Sequence, residues 1–309
     1  YIAGLLTGTM SIISVPGKEQ LTAYSKEVYA NTPYTKEKEK LSQGEAGNPI
    51  PRSAKETSPI KHVFYIIKEN STYDQVLGDI KEGNGDASLV LFGEKITPNQ
   101  HKLVKDFALL DNFYVDAEVS ADGHNWSLGA YATDYVEKIW PTSYGGGGGT
   151  KGSFGRLDIG NNKNGFLWDD CVRAGVSYRS YGEFVDDDKP TIAALKNNFC
   201  SSYTAWDLDF RDTSRFQQWK RDFDSLVSVN ALPQLSTIRL PNDHTQGMKK
   251  GKPTPFAYAA DNDLAVGMFI DHLSKSPMWK ESFVFIVEDD AQNGPDHVDS
   301  HCSPVYVIG

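Results

Sequence analysis

Residues 62–74 read His62-Val63-Phe64-Tyr65-Ile66-Ile67-Lys68-Glu69-Asn70-Ser71-Thr72-Tyr73-Asp74, an apolar run that becomes polar at its end. A continuous apolar run of this length is typical of a strand buried on both faces, as in a parallel sheet covered by helices. In open sheets of this kind, ligands bind in the crevice beyond the carboxyl ends of the strands. The stretch therefore predicts a central strand and, directly after it, part of a functional site.

Strand-like and helix-like segments alternate along the rest of the chain. The further predicted strands are 107–111, 176–181, 236–240, 283–287 and 305–308. The predicted helices, in which apolar residues recur at helical spacing, are 126–139, 166–174, 215–226 and 257–273. Such alternation predicts an α/β fold with a doubly wound, mostly parallel central sheet and helices on both faces.

The chain before residue 59 has a different character. Residues 1–34 contain two short strand-like runs, at 12–15 and 21–24, which predict a short β segment. Residues 35–58 are charged and lack apolar periodicity, which predicts a linker. Because two short strands do not fold alone, we expect residues 1–34 to be part of something longer, followed by the linker and by an α/β domain over residues 59–309.

Composition excludes several classes of protein. The 309 residues are 39% hydrophobic and 23% charged, which is the mixture of a globular domain and not of a disordered chain. The formal net charge of -10 would repel a nucleic-acid backbone, and no apolar run reaches the roughly 20 residues that span a bilayer. The three cysteines leave two alternatives, free thiols or a disulfide between Cys171 and Cys200 in an oxidising compartment.

Polar residues concentrate in the loops that follow the predicted strands. The candidate site residues are Glu69, Asn70, Ser120, His124, Asn125, Asp243, His244, Asp289, Asp290, His297 and His301. Any one of them has an ordinary alternative role as a helix cap or turn former. Neighbouring acids such as Asp289 and Asp290, however, repel each other unless a cation neutralises them. The concentration predicts a site for a divalent metal ion, with zinc, manganese, magnesium and calcium all left open.

Ser120 precedes a predicted helix, where its hydroxyl could lie beside N–H groups that attract an anion such as phosphate. A hydroxyl activated by a metal at that point would be a nucleophile. From the spacing alone, a role as nucleophile and a role as helix cap remain equal alternatives.

Several segments together resemble a known family. Residues 66–74 resemble the opening motif of the phosphoesterase family that includes bacterial phospholipases C and certain acid phosphatases, within the alkaline phosphatase superfamily. Further segments resemble the branch of that family in which a YVTN-type β-propeller precedes the phosphatase-like domain. These segments are 83–86, 110–114, 118–126, 241–245, 288–290 and 296–299. Residues 1–34 are similar to the last blade of such a propeller.

The resemblance implies roles for the candidate residues. It implies a metal site formed by Glu69, Asn70, Asp289 and Asp290, with Asp243 as a further ligand. It implies that Ser120 is the nucleophile, with His124 and Asn125 as catalytic residues, although Ala121 could equally occupy the aligned position. The remaining histidines, His244, His297 and His301, are implied to bind the substrate phosphate or a second metal.

The expected activity is metal-dependent hydrolysis of phosphate esters through a serine phospho-enzyme. The alternatives are a sulfate-ester or phosphonate hydrolase on the same scaffold, or an inactive surface binding protein linked to the propeller. The expected partners are a small phosphate-ester substrate and the N-terminal propeller domain of a longer chain, in the periplasm or outside the cell.

Overall fold

The apolar run that begins at His62 forms strand β1 (His62–Lys68) at the centre of the sheet. The computed structural model describes residues 9–32, 35, 47–51, 56–291 and 302–309. The chain divides into two units, Tyr1–Ile60 and Lys61–Gly309. The predicted α/β domain, residues 59–309, corresponds closely to the second of these units.

The larger unit contains six further strands and seven helices among its described residues. The strands are β2 (Tyr178–Tyr181), β3 (Val185–Asp186), β4 (Lys189–Pro190), β5 (Leu235–Leu240), β6 (Ser282–Glu288) and β7 (Val305–Ile308). The helices are α2 (Tyr73–Leu77), α3 (Pro98–Asp106), α4 (Ser120–Gly129), α5 (Asp134–Tyr144), α6 (Leu167–Ala174), α7 (Asp212–Ser228) and α8 (Pro255–Ser274). The smaller unit contains helix α1 (Lys18–Asn31).

The main sheet has the strand order β2-β5-β1-β6-β7. The first four strands are parallel, and β7 runs antiparallel to β6 at one edge. The register places Lys68 opposite Leu240 on one side and opposite Glu288 on the other. The residues that follow these three strands therefore leave the sheet at the same edge, as a parallel sheet requires. The predicted α/β fold class with a mostly parallel sheet is confirmed.

Helices cover both faces of the sheet, because side chains along a strand alternate between its faces. Phe64 and Ile66 of β1 belong to a core cluster with aromatic residues of α7 and α8, such as Trp219 and Phe269. Ile67 belongs to a second cluster on the other face, with side chains of α4 and α6. Apolar residues at consecutive positions of β1 thus serve two cores, which explains why the run is continuous.

Two predictions in the larger unit are wrong. Residues 107–111 do not form a strand; Leu109 packs on the first core cluster while Leu110 remains 39% exposed, so the run covers the core as a loop. The single helix predicted over 126–139 is two helices, α4 and α5. The chain turns between them at Ala130, which has a left-handed φ of 59° and ends α4.

The strand predicted at 21–24 is also wrong, because these residues lie in helix α1. Residues 12–15 form no strand either, and Ile12, Ile13 and Val15 are more than three quarters exposed. A helix satisfies its backbone hydrogen bonds locally, whereas two short strands without a neighbouring sheet do not. The assignments of residues 1–34 to a propeller blade and of 35–58 to a linker stay predictions, and part of both ranges lies outside the described residues.

No disulfide bond links the three cysteines. Cys171, Cys200 and Cys302 are all buried thiols, so the alternative of a disulfide between Cys171 and Cys200 is wrong and the thiol alternative is confirmed. Among the described residues, no helix is both long enough and apolar enough to cross a membrane.

Arg215 on helix α7 holds the segment that follows β5. Its side chain is fully buried and donates to the carbonyl oxygens of four loop residues and to Asp212 and Asn242. The other carboxylate oxygen of Asp212 accepts from the backbone N–H of Asn242 and from the amide of Asn262, each at 2.9 Å. One buried arginine thus fixes the turn at Asn242–His244, which lies at the edge of the sheet where the predicted site residues gather.

We predict that Arg215→Met lowers the free energy of unfolding by about 3–5 kcal/mol, because it leaves the buried carboxylate of Asp212 without its counter-charge. Chemical denaturation measures this change. The control is Arg221→Met on the same helix, where the side chain is exposed and a change within about 0.5 kcal/mol is expected. Equal losses in the two variants would contradict a special role for Arg215.

Candidate active site

The structure brings Glu69, Asn70, Asp289 and Asp290 together at the carboxyl ends of β1 and β6. The backbone N–H of Asn70 donates to Asp289 Oδ1 at 3.3 Å, and its side-chain amide donates to both oxygens of Asp290 at 2.6 and 2.7 Å. Asn70 has a left-handed φ of 55°, a conformation that asparagine tolerates better than most residues. This turn directs the amide of Asn70 across to the end of β6.

Ser120 lies in the same place, as the first residue of helix α4. Its Oγ is 2.9 Å from Asp290 Oδ2, 3.1 Å from Glu69 Oε2 and 3.3 Å from Asn70 Nδ2. The helix begins six residues before the predicted start at residue 126, so the hydroxyl lies at the helix N-terminus itself. The free N–H groups of a helix N-terminus attract anions. Ser120 therefore combines an anion-attracting position with two carboxylate neighbours.

His124 lies one turn further along α4, beneath Ser120. Its Nε2 is 3.0 Å from Glu69 Oε1 and 3.3 Å from Asp289 Oδ2, while its Nδ1 is 2.9 Å from Glu183 Oε2. Burial would lower the pKa of His124, but Glu183 and Asp289 raise it well above its usual range. The imidazole thus lies among three buried carboxylates and contacts each of them.

Arg239 is buried and positively charged, and it was not among the predicted site residues. Its Nε is 3.0 Å from Glu69 Oε1, and its guanidinium lies 4.8 Å from the ring centre of Trp206 and 5.1 Å from that of Phe154. Burial would raise the pKa of Glu69, but Arg239 and then His124 hold it well below its usual range. The sequence signal was a charged residue inside β5, whose other residues are all uncharged.

Glu183 was not among the predicted site residues either. It follows β2, and polar residues after the carboxyl end of a parallel strand are where a ligand site is expected.

Asp243, which the resemblance implied to be a metal ligand, has other partners in this structure. Its Oδ1 accepts from the backbone N–H of Glu69 at 3.1 Å, and its Oδ2 is 2.9 Å from Lys68 Nζ. Asp243 thus lies below the site, and its role as a ligand stays a prediction.

The remaining predicted residues lie further from Ser120 or outside the described chain. The side-chain amide of Asn125 donates to the carbonyl of Gly160 at 3.0 Å, so Asn125 anchors a neighbouring loop. His244 donates from Nδ1 to the carbonyl of Thr245 at 2.9 Å, and its ring meets Trp206 edge-on. His297 and His301 lie outside the described residues, so their predicted roles stay predictions.

The residues at this site fit a divalent cation. One ligand atom each from Glu69, His124 and Asp289 lies within 4.8 Å of the others, and all three residues are buried. Asp289 Oδ2 and Asn70 Oδ1 are buried without a hydrogen-bond partner among the described residues. Burial, and then the negative charges of Asp289 and Glu69, raise the pKa of Asp290 well above its usual range. The site therefore has unused oxygen donors and an excess of negative charge, and a cation would relieve both.

Comparisons with known proteins identify the family of this chain. The model of the Phosphoesterase family matches residues 82–308, well over half of the chain. The chain belongs to the Phosphoesterase family. A comparison with curated protein sequences gives no significant match.

Solved structures of the alkaline phosphatase superfamily share the fold of this chain. A superfamily protein from Vibrio parahaemolyticus superposes with a TM-score of 0.55 at 15% identity, covering 81% of this chain and 60% of that one. The lipoteichoic acid synthase LtaP from Listeria monocytogenes superposes with a TM-score of 0.52 at 11% identity, covering 80% of this chain and 65% of that one. The chain thus spans less than two thirds of the length of either structure.

Helix α4 of the phosphoesterase packs directly on the backbone of the metal-ligand candidates. A Cβ atom added at Gly123 would overlap the carbonyl oxygen and carbon of Asp289. Only glycine permits this approach, because no side chain stands between the helix and the end of β6. The close approach sets the distance between Ser120 and the carboxylates.

We predict that Gly123→Ala destabilises the protein by about 1–3 kcal/mol, because the added methyl group forces α4 away from Asp289. The direction of the change in the free energy of unfolding is informative. Alanine in a helix interior ordinarily stabilises a protein by roughly 0.5–1 kcal/mol relative to glycine, so a loss of stability indicates a steric clash. Denaturation and calorimetric metal titration measure the two effects. Ser127→Ala, at a half-buried position of the same helix, is the control and should leave both quantities almost unchanged. A stabilised Gly123→Ala variant with normal metal affinity would contradict the close approach.

Proposed function

We propose that this protein hydrolyses phosphate esters with the aid of a divalent metal ion and that Ser120 is the nucleophile. The observation that carries the proposal is the position of the Ser120 hydroxyl. It lies at the N-terminus of α4 and within 3.3 Å of polar atoms of Glu69, Asn70 and Asp290. Membership of the Phosphoesterase family supports the class of reaction.

The proposed metal ligands are Glu69, Asn70, Asp289 and Asp290, with His124 beside them. A metal ion bound there would supply positive charge that stabilises the serine alkoxide and the phosphoryl oxygens. The amide oxygen of Asn70 has no hydrogen-bond partner among the described residues, which leaves it available as a ligand. Asp243 and Lys68 would support the site from below, through the backbone of Glu69.

In the proposed reaction, Ser120 Oγ attacks phosphorus in line with the leaving alcohol, forming a phosphoserine as the ester P–O bond breaks. Asp290 is the group placed to take the hydroxyl proton, since its Oδ2 is 2.9 Å from Ser120 Oγ. A bound metal ion would keep Asp290 ionised and so able to accept this proton. Water then hydrolyses the phosphoserine, which frees phosphate and restores Ser120.

For the whole protein we propose a small phosphate ester as substrate, and a propeller domain N-terminal to this unit. A periplasmic or extracellular location is part of the same proposal. These points rest on the resemblance of residues 1–34 and of the family motifs. Nucleic acid is not a proposed partner, because the net charge of -10 opposes it.

We predict that Ser120→Ala lowers kcat by several orders of magnitude and abolishes the phosphoserine, while the metal content stays almost unchanged. Turnover of 4-nitrophenyl phosphate and mass spectrometry of quenched enzyme measure the two effects. Ser127→Ala is the control on the same helix. Near-normal turnover by Ser120→Ala would instead favour direct attack by water. Wild-type turnover of an aryl sulfate or phosphonate alone, or of no ester, would favour the alternative activities or an inactive binding protein.

We predict that Asp289→Asn weakens metal binding by an order of magnitude or more, because it removes one of the buried charges that the cation balances. Metal analysis after dialysis and calorimetric titration measure the affinity. The exposed Asp134→Asn is the control. A chelator should abolish turnover by the wild type, and added metal should restore it. Full turnover in the presence of chelator would disprove the metal requirement.

A further inference from the structure

Lys151 is a half-buried lysine near the site whose ammonium group forms no ion pair with a carboxylate in the described part of the chain. Its Nζ lies 3.4 Å from the ring centre of Tyr144. The neighbouring Arg156 differs, because its guanidinium makes two bonds of 2.5 and 2.9 Å to Asp186. Burial and then Arg156 lower the pKa of Lys151, so its surroundings disfavour the charge. The negative charge of a bound anion would offset both the burial of the ammonium group and the repulsion from Arg156.

Tyr144 connects Lys151 to the catalytic serine. It is the last residue of α5, and the carboxylates of Asp290, Asp289 and Glu69 are the charges that act on its phenolic group. The Tyr144 side chain is 42% exposed, and a phenolic hydroxyl is protonated near neutral pH. The hydroxyl can therefore donate a hydrogen bond to an acceptor at the N-terminus of α4. A phosphoryl group attacked by Ser120 would provide that acceptor.

The loop between these two residues explains how Lys151 reaches the ring. Residues 145–149 are all glycine, and three of them have positive φ angles between 77° and 92°. A Cβ atom added at Gly146 or Gly148 would meet nothing within 4 Å, whereas one at Gly147 or Gly149 would meet side chains of α5. The far end of the loop is held where Tyr135 donates to the carbonyl of Thr150 at 2.8 Å. The loop thus returns the chain over the end of α5 and sets Lys151 above Tyr144.

We propose that Tyr144 and Lys151 recognise the substrate phosphate and that they select phosphate monoesters. The inference rests on the proposed function, since it assigns these residues to the same phosphoryl group. The Tyr144 hydroxyl donates to a non-bridging oxygen, which monoesters and diesters both have. The Lys151 ammonium pairs with the second negative charge, which a monoester carries near neutral pH and a diester lacks.

The test compares metal-loaded wild-type protein with Lys151→Met in two assays. Calorimetry gives the Kd for inorganic phosphate, and steady-state kinetics give kcat/KM for 4-nitrophenyl phosphate and for bis(4-nitrophenyl) phosphate. Loss of one charge-assisted contact should raise the phosphate Kd about tenfold and lower kcat/KM for the monoester by about the same factor. For the diester we expect less than about a twofold change, because the lost contact serves only the second charge.

Two further variants make the result specific. Tyr144→Phe keeps the ring under Lys151 but removes the hydroxyl, so it should lower kcat/KM for both esters by a similar factor. Lys138→Met removes an exposed lysine of α5 and should change neither assay. An unchanged phosphate Kd in Lys151→Met, equal losses on both esters, or a wild type that binds no phosphate would overturn the proposal. If the wild type hydrolyses neither ester, the proposed function is wrong, while the phosphate Kd still decides the role of Lys151.

Discussion

The buried ion pairs of Lys68 are the interaction on which the rest of the site depends. The side chain is 1% exposed, and its Nζ lies 2.9 Å from Asp243 Oδ2 and 2.8 Å from Glu288 Oε1. These contacts join the ends of β1 and β6 to the turn after β5, and the Lys68 carbonyl also accepts from the backbone N–H of Asp289 at 3.1 Å. Removing one partner from a buried pair leaves an uncompensated charge, which costs about 3–5 kcal/mol. The spacing between Glu69 and Asp289 is therefore fixed from beneath.

Strand alternation separates this supporting pair from the site. Lys68 and Glu288 are opposite one another in the register of β1 and β6, on the face where Phe64 and Ile66 meet α7 and α8. The next residue along each strand points to the other face, where α4 lies. Glu69 and Asp289 thus reach His124, and the support and the reactive groups come from adjacent positions of the same two strands. A shift of one residue along the strands would turn Lys68 and Glu288 toward α4 and would turn Glu69 and Asp289 toward the opposite face.

The sequence was sufficient to predict those parts of the site whose positions follow directly from the order and direction of the strands. Parallel strands end at one edge, so the polar residues after β1 and β6 had to meet, and Glu69, Asn70, Asp289 and Asp290 do. The contacts of Asp243 could not be predicted in this way, because they depend on the direction of a buried lysine side chain. The pairing of Arg239 with Glu69 depends likewise on packing between aromatic rings that come from distant loops. The helix over residues 18–31 was missed because a short apolar alternation predicts a strand only where a sheet can receive it.

The two neighbouring acids Asp289 and Asp290 differ in their surroundings, which allows them different roles. Asp289 Oδ2 lies 3.3 Å from Nε2 of the His124 imidazole. Asp290 instead meets the amide of Asn70 and the hydroxyl of Ser120, which are neutral. Asp289 contacts the imidazole of His124, whereas Asp290 contacts the hydroxyl of Ser120. The two adjacent acids thus reach different groups of the same site.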